Sequence, residues 1–175
     1  MRSPGSPSCS GLDGSERKVP GVKSVYAVSI VLSLLATGLY AGLCFGIAFN
    51  PGVSAMSPNA YVSYWQAVNR DYGRFMPPLF VVGMLASSAV VVLSSRKDAV
   101  VLIAGVVAAA ATLAGIVLTI TTLVPLNVLA DGWVGSIPDS WSEHRDDWRR
   151  FHLIRTVVAT AGFAAAAVVP VAQLR

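Results

Sequence analysis

The residues best suited to chemistry lie in one polar segment near the carboxyl end of the chain, from Ser140 to Thr156. Its sequence is SWSEHRDDWRRFHLIRT, and residues spaced by four and three positions fall on one face of a helix. That face carries an imidazole, two guanidinium groups and two indoles, from Trp141, Arg145, Trp148, His152 and Arg155. A neutral imidazole can accept a proton and a guanidinium can stabilise an anion, so the segment is a candidate catalytic site.

Two further segments carry side chains that could line a site. One is a predicted helix with Ser57 as N-cap, Pro58 at its first position and its end at Gly73. Its shared face carries Tyr61, Tyr64, Trp65, Val68 and Asn69, which are either interfacial anchors or the lining of a pocket. The other segment follows Pro125, which we expect to break a helix. Asn127 would then cap that helix end or, alternatively, donate a hydrogen bond to a substrate.

Several other chemistries lack their residue patterns. The two histidines, His144 and His152, lie on different helix faces with no cysteine near them, so no metal site is predicted. Cys9 lies in a polar tail and Cys44 in an apolar run, so no disulfide is expected. The chain has no phosphate loop, nucleophile elbow or dinucleotide fingerprint. Its net charge of +4 is not gathered on one stripe, so we expect no nucleic-acid partner.

The elements that must position these residues are predicted to be transmembrane helices. Only 13% of the 175 residues are charged, against about a quarter in soluble domains, and the mean hydropathy is +0.63. Four continuously apolar stretches approach or exceed the roughly 20 residues that cross a bilayer, and they do not alternate as barrel strands would. They cover 25–49, 78–94, 99–124 and 153–174. We predict an all-α membrane protein, a four-helix transmembrane bundle with short amphipathic helical segments in its two long loops.

The rest of the chain bears on domain limits and orientation. Residues 1–23 are rich in Ser, Gly, Pro and charge, which predicts a disordered tail before a single four-span domain at 24–175. The first apolar run is far longer than the roughly 7–15 residues of a signal-peptide core, so we expect an uncleaved helix. Lys and Arg divide almost evenly between the two sides of the membrane. All three lysines share the side of the termini, which favours cytoplasmic termini in a multi-pass cell-membrane protein.

Small residues on two spans predict close helix packing. On the first span they repeat every four residues, at Gly38, Gly42 and Gly46. On the third they recur at spacings of three and four, at Gly105, Ala108, Thr112 and Gly115. We interpret both faces as packing within the bundle, and a homo-oligomer through the Gly38-Gly42-Gly46 ridge is the alternative.

The helix that carries the candidate site would start outside the membrane and run into the fourth span. It would bring His152 and Arg155 to the rim of the bundle, where ionisable groups are costly and usually functional. The alternative is an interfacial anchor, with Arg155 paired to a lipid phosphate or an acid. No charge lies at the centre of any span, which disfavours an ion-coupled transport path.

Four stretches of the sequence carry a resemblance to one known family. They are Phe49-Asn50-Pro51-Gly52, Trp65-Gln66-Ala67-Val68-Asn69-Arg70, Val124-Pro125-Leu126-Asn127 and the run from Trp148 to Thr156. Over about residues 25–174, the chain is similar to the anthrone oxygenase family of small four-span membrane proteins. The resemblance implies oxidation of a flat polycyclic phenol, anthrone to anthraquinone, by molecular oxygen in the chemistry of aromatic polyketides.

The resemblance also implies roles for the candidate residues. His152 would be the base, kept neutral by burial and by the nearby Arg155 and Arg149. Arg155, with Asn127, would stabilise the substrate anion. Trp148, Trp65, Tyr61 and Tyr64 would hold the rings by offset stacking, and Asn69, at the anion, and Arg149 would complete the substrate-binding residues. We expect a lipophilic aromatic substrate that arrives through the lipid bilayer, with oxygen as co-substrate and no cofactor, while a metal stays an open alternative.

A second class of function stays open at this point. The protein could be a non-catalytic membrane accessory or scaffold that binds a partner protein through its outer aromatic and arginine face. A transporter of lipophilic compounds is a third candidate, disfavoured by the uncharged spans. The enzyme interpretation predicts that His152, Arg155, Asn127 and the face at 61–69 converge on one cavity.

Overall fold

The computed structural model describes residues 20–94 and 98–174, and every long element in them is helical. The elements are α1 (Pro20–Ala48), a 3₁₀ turn (Val53–Ala55), α2 (Pro58–Leu93), α3 (Ala99–Leu118), a π-helical turn (Thr119–Leu123), α4 (Val124–Asp131) and α5 (Trp141–Ala172). Since the π turn joins α3 to α4 without a break, the chain forms four helical runs. Each run is long and apolar enough to cross a membrane, at 32 to 36 residues. The protein is therefore an all-α, multi-pass membrane protein, as predicted.

The four runs pack as a bundle in which each run has two main neighbours. α1 contacts α2 and α5, and α3 contacts the same two helices from the opposite side. Consecutive runs are joined at alternate ends. The connections at 49–57 and 132–140 therefore lie at one end, which we call the loop end, and the candidate site residues lie there too.

The predicted tail and the observed first helix overlap by four residues. Of the predicted tail at 1–23, residues 1–19 lie outside the described part of the chain, and so does Cys9. Pro20 to Lys23 form the first turn of α1, so this part of the tail prediction was wrong.

The second run is longer than the predicted span because α2 does not end at Gly73. The helix begins as predicted, with the Ala60 N–H donating to the Ser57 hydroxyl at 3.4 Å and Pro58 in its first turn. It then continues through Gly73, Pro77 and Pro78. No water reaches the hydrocarbon core, so a helix that continues through proline loses fewer backbone hydrogen bonds than one that ends there. The separate loop helix that was expected to end at Gly73 is the first part of α2.

Pro125 modifies the third run without breaking it, contrary to our expectation. Proline has no N–H to donate to the carbonyl four residues earlier. A π turn precedes it, in which the Val124 N–H donates to the Thr119 carbonyl. α4 then continues the same run, with Pro125 in its first turn. Asn127 consequently lies inside a helix and does not cap the end of one.

The small residues of α3 pack inside the bundle, as predicted. Gly105, Ala108, Thr112 and Gly115 are all buried. Gly115 lies so close to the Tyr40 hydroxyl of α1 that a Cβ there would collide with it. Tyr40 is itself buried and packs edge-on against Phe80 of α2, with ring centroids 5.0 Å apart.

The glycine ridge of α1 divides into a packed part and an outward-facing part. A Cβ at Gly38 would lie 3.0 Å from the Phe163 ring of α5, which is tight contact. Gly42 and Gly46 are exposed, and a Cβ at either would have no neighbour within 4 Å. The prediction of packing within the bundle is therefore right for Gly38 and wrong for the other two. A homo-oligomer through this ridge stays a prediction.

Gly115→Ala tests the close approach of α1 and α3. We expect it to lower the free energy of unfolding by about 1–3 kcal/mol, because Tyr40 must move to admit the methyl group. Gly42→Ala is the matched control, since its methyl group would meet open space. Thermal unfolding in mild detergent, followed by circular dichroism, measures both. Equal melting temperatures for the two variants would contradict the packing described above.

Candidate active site

Asn127 joins three helices at the loop end of the bundle. Its Oδ1 accepts the Nε1–H of Trp65 from α2 at 2.8 Å and the Nε1–H of Trp148 from α5 at 2.9 Å. Indole nitrogens only donate, so these contacts distinguish the oxygen of the carboxamide from its nitrogen. The two indoles are 0% and 2% exposed, so without this oxygen both N–H groups would be buried and unpaired. The shared acceptor thus fixes α2, α4 and α5 relative to one another.

Further polar contacts hold α4 along α2. Gln66 Nε2 donates to the Ala130 carbonyl at 2.8 Å, and Asn69 Nδ2 donates to the Asp131 carboxylate at 2.7 Å. Asn69, which was predicted to bind substrate, uses one of its two Nδ2 N–H groups in the bond to Asp131.

His152 and Arg155 form a buried pair one helical turn apart on α5. Each is 4% exposed, and Arg155 Nη2 lies 2.9 Å from His152 Nδ1. A guanidinium has donors and no acceptor, so Nδ1 must accept this hydrogen bond. The imidazole is therefore neutral, with its proton on Nε2. Arg155 also donates from Nη1 to the Thr119 hydroxyl at 3.4 Å. Thr119 belongs to the π turn that precedes Pro125, so this turn also supports Arg155.

Arg155 has no acidic partner within residues 20–94 and 98–174. The ion pairs found there, Arg70–Asp71 and Arg145–Asp146, lie near the surface. Among the same residues, the Nε–H of Arg155 has no hydrogen-bond acceptor either. A buried cation without a counter-ion is energetically costly, so this position favours binding of an anion. The alternative in which Arg155 pairs with an acid is therefore not observed in these residues.

Most of the candidate residues border two cavities that share one wall, and Asn69 also borders a third cavity of about 870 Å³. The inner cavity has a volume of about 200 Å³, and its lining includes Thr119, Asn127, Arg155, Tyr72, Met76 and Phe80. The outer cavity has a volume of about 420 Å³, and its lining includes Asn50, Val53, Tyr61, Asp146, Arg149 and Arg150. Ile47, Trp148 and His152 line both cavities and form the wall between them.

The predicted site residues therefore converge on the loop end but not on a single cavity. Asn127, Arg155 and Asn69 line the inner cavity, and Tyr61 and Arg149 line the outer one. Trp65 and Tyr64 line neither. Trp65 is fully buried behind Trp148, with ring centroids 5.0 Å apart. The hydroxyl of Tyr64 accepts a hydrogen bond from Asn50 Nδ2 at 3.3 Å on the exposed side.

Sequence analysis missed several residues of the site. Tyr72, Met76 and Phe80 recur every four residues on α2 and form one wall of the inner cavity. Their spacing was a usable signal, but the expected helix end at Gly73 divided it. Thr119 carried no recognisable pattern, because only the π turn brings it to Arg155. Within the described residues, no group of three or more His, Cys, Asp or Glu side chains lies close enough to hold a metal ion.

Most of the site residues lie in a segment that matches one known protein family. A family model described as "Anthrone oxygenase" matches residues 65–165, more than half of the chain, and includes Asn127, both of its indole partners and the His152–Arg155 pair. The chain belongs to the anthrone oxygenase family. No curated protein and no solved structure matches it. The anthrone oxygenase match begins inside α2, so α1, which contributes Tyr40 and Ile47, lies outside it.

Asn127→Leu tests the shared acceptor in this anthrone oxygenase family member. We expect a loss of about 1–3 kcal/mol for each indole N–H left buried without a partner. Asn127→Asp has the same shape and keeps an acceptor oxygen, so it should be much less destabilised. Asn50→Leu is the control, because the Asn50 hydrogen bond is exposed. Melting temperature in detergent and tryptophan fluorescence measure the effect. Equal losses in the Leu and Asp variants would contradict the role of Oδ1.

Proposed function

We propose that this protein is a membrane oxygenase that oxidises a flat polycyclic phenol with molecular oxygen, as in the conversion of anthrone to anthraquinone. Family membership supports an oxygenase-like protein in general terms. The observation that carries the specific proposal is the buried Arg155, which has no acidic partner in the described residues and lines a cavity. Anthrones are carbon acids whose anions carry charge on oxygen, so a buried cation stabilises the reactive form of the substrate.

The proposed reaction balances without an added reductant. The substrate loses a carbon-bound proton from its central ring, and the resulting anion transfers electrons to oxygen as a carbon–oxygen bond forms. Loss of water from the peroxide then leaves the second carbonyl, so anthrone and oxygen give anthraquinone and water. The protein side chains bind the anion and hold the rings.

The outer cavity suits the ring system better than the inner one. Its volume of about 420 Å³ falls within the range of small-molecule sites, roughly 300–1,000 Å³, whereas the inner cavity at about 200 Å³ falls below it. Trp148 and Tyr61 offer aromatic surfaces there, with their own ring centroids 6.5 Å apart. The Tyr61 hydroxyl is buried and has no hydrogen-bond partner in the described residues, so it is available to a phenolic oxygen.

In this arrangement the reacting end of the substrate lies against His152, in the wall between the cavities. Arg155 lies behind that wall and supplies positive charge next to His152, and Asn127 holds the Trp148 part of the wall in place through Oδ1. Arg149 lies at the edge of the outer cavity and adds positive charge. We propose that the lipophilic substrate arrives from the bilayer.

Arg155→Met tests the proposed function. Purified protein in detergent, supplied with an anthrone and oxygen, should form quinone faster than buffer does, measured by visible absorbance against an oxygen-free sample. We expect the variant to be slower by about 100-fold, because the charge that stabilises the anion is lost. Arg74→Met removes an exposed arginine and should keep the wild-type rate. Wild-type protein no faster than buffer, or Arg155→Met at the wild-type rate, would overturn the proposal.

A further inference from the structure

The hydrogen bond between His152 and Arg155 uses one of the two ring nitrogens of His152 and leaves the other, Nε2, for a ligand. Nδ1 accepts from Arg155 Nη2 at 2.9 Å, which leaves the ring proton on Nε2. An imidazolium would direct one N–H group against another in this contact, so the geometry requires the neutral ring. Within the described residues no side chain or carbonyl accepts from Nε2. A neutral imidazole has one lone pair available for a hydrogen bond or a proton, and Arg155 occupies it.

Neighbouring contacts hold the ring in this orientation. The Trp148 indole packs against the imidazole, with ring centroids 4.1 Å apart, and Asn127 fixes that indole in turn. On the other side, Arg155 is bonded to Thr119. A ring flip that freed Nδ1 would break the bond to Arg155 and disturb the packing against Trp148. His152 is therefore held with an N–H group, and not a lone pair, available to a ligand.

We propose that His152 donates a hydrogen bond from Nε2–H to the oxygen of the substrate anion, and that Arg155 is the positioning residue that fixes this tautomer. This inference rests on the proposed function and replaces the expected role of His152 as base. The ring lines the cavity proposed to hold the substrate, so a ligand oxygen there can reach it. A donor held in place before the reaction stabilises charge as it develops on that oxygen.

The proton that the substrate loses then goes to water in the outer cavity and not to His152. This cavity is bordered by exposed residues, which include Asn50, Asp146 and Arg149. The carbon–hydrogen bond breaks as water takes the proton, and the electron pair moves into the ring system and onto the oxygen. Hydrogen bonding to that oxygen makes the carbon acid stronger, so no dedicated protein base is required.

A measurement without substrate tests the tautomer by itself. The chain has two histidines, so His144→Gln protein labelled with ¹⁵N-histidine gives nitrogen signals from His152 alone. We expect a protonated Nε2 and an unprotonated Nδ1 at neutral pH in the full-length protein. In Arg155→Met protein we expect a mixture of both tautomers. A protonated Nδ1 in the otherwise unaltered protein, or an unchanged spectrum in the Met variant, would overturn the role of Arg155.

A matched pair of variants separates a donor from a base. Glutamine and methionine have side chains of similar length, but only glutamine donates a hydrogen bond, and neither is a base at neutral pH. We expect His152→Gln to keep at least about a tenth of the quinone-forming rate and His152→Met to lose about 100-fold. The remaining activity of His152→Gln should show the pH profile of the wild type. Equal losses in the two variants, or a changed pH profile in the Gln variant, would support a base and overturn the donor role.

Binding of a hydroxyanthraquinone, an analogue of the proposed product, distinguishes failure of this inference from failure of the proposed function. Hydroxyanthraquinones change colour when they ionise, so an absorbance titration reports the pKa of the bound dye directly. We expect the protein to lower the pKa of the dye relative to detergent alone. His152→Met should reverse most of that shift and His152→Gln should reverse little of it. A lowered dye pKa without turnover would refute the oxygenase and keep the donor, whereas no shift would refute the donor.

Discussion

The loop end of the bundle depends on one oxygen atom, Asn127 Oδ1, which accepts hydrogen bonds from two buried indoles at once. Each indole N–H comes from a different helix and lies where water does not reach it. The carboxamide therefore sets how α2, α4 and α5 meet. The position of Trp148 follows from that bond, the orientation of His152 follows from its packing against Trp148, and the wall between the two cavities consists largely of these two rings.

The polar groups of the site differ in how completely they are paired. Asn127 Oδ1 is fully used, and the His152–Arg155 contact consumes the one free lone pair of the imidazole. By contrast, the Nε–H of Arg155 and the Tyr61 hydroxyl are buried without partners in the described residues. Their incomplete pairing at cavity walls supports the proposal of a ligand that carries negative or acceptor oxygens.

Much of the fold could be predicted, because lipid imposes simple rules on composition and length. The four apolar stretches, the helix that begins at Trp141 and the N-cap at Ser57 all followed from local patterns. The predictions at Gly73 and Pro125 were wrong for one reason. Both residues are typical of helix ends, but here the tertiary packing overrides that local signal: α2 continues through Gly73, and a π turn carries the third run past Pro125.

The sequence by itself determined that this chain spans a membrane and that one face of its last helix carries Trp148, His152 and Arg155, because the helical period depends only on spacing. Only the tertiary structure decided what that face does. It placed Asn127 between two indoles, brought Thr119 to Arg155 through a π turn, and left Arg155 without an acid in the described residues. The tautomer of His152 depends on a distance between two side chains. The separation of the site into two cavities depends on how the four helices pack. No local sequence pattern encodes the tautomer or the two cavities.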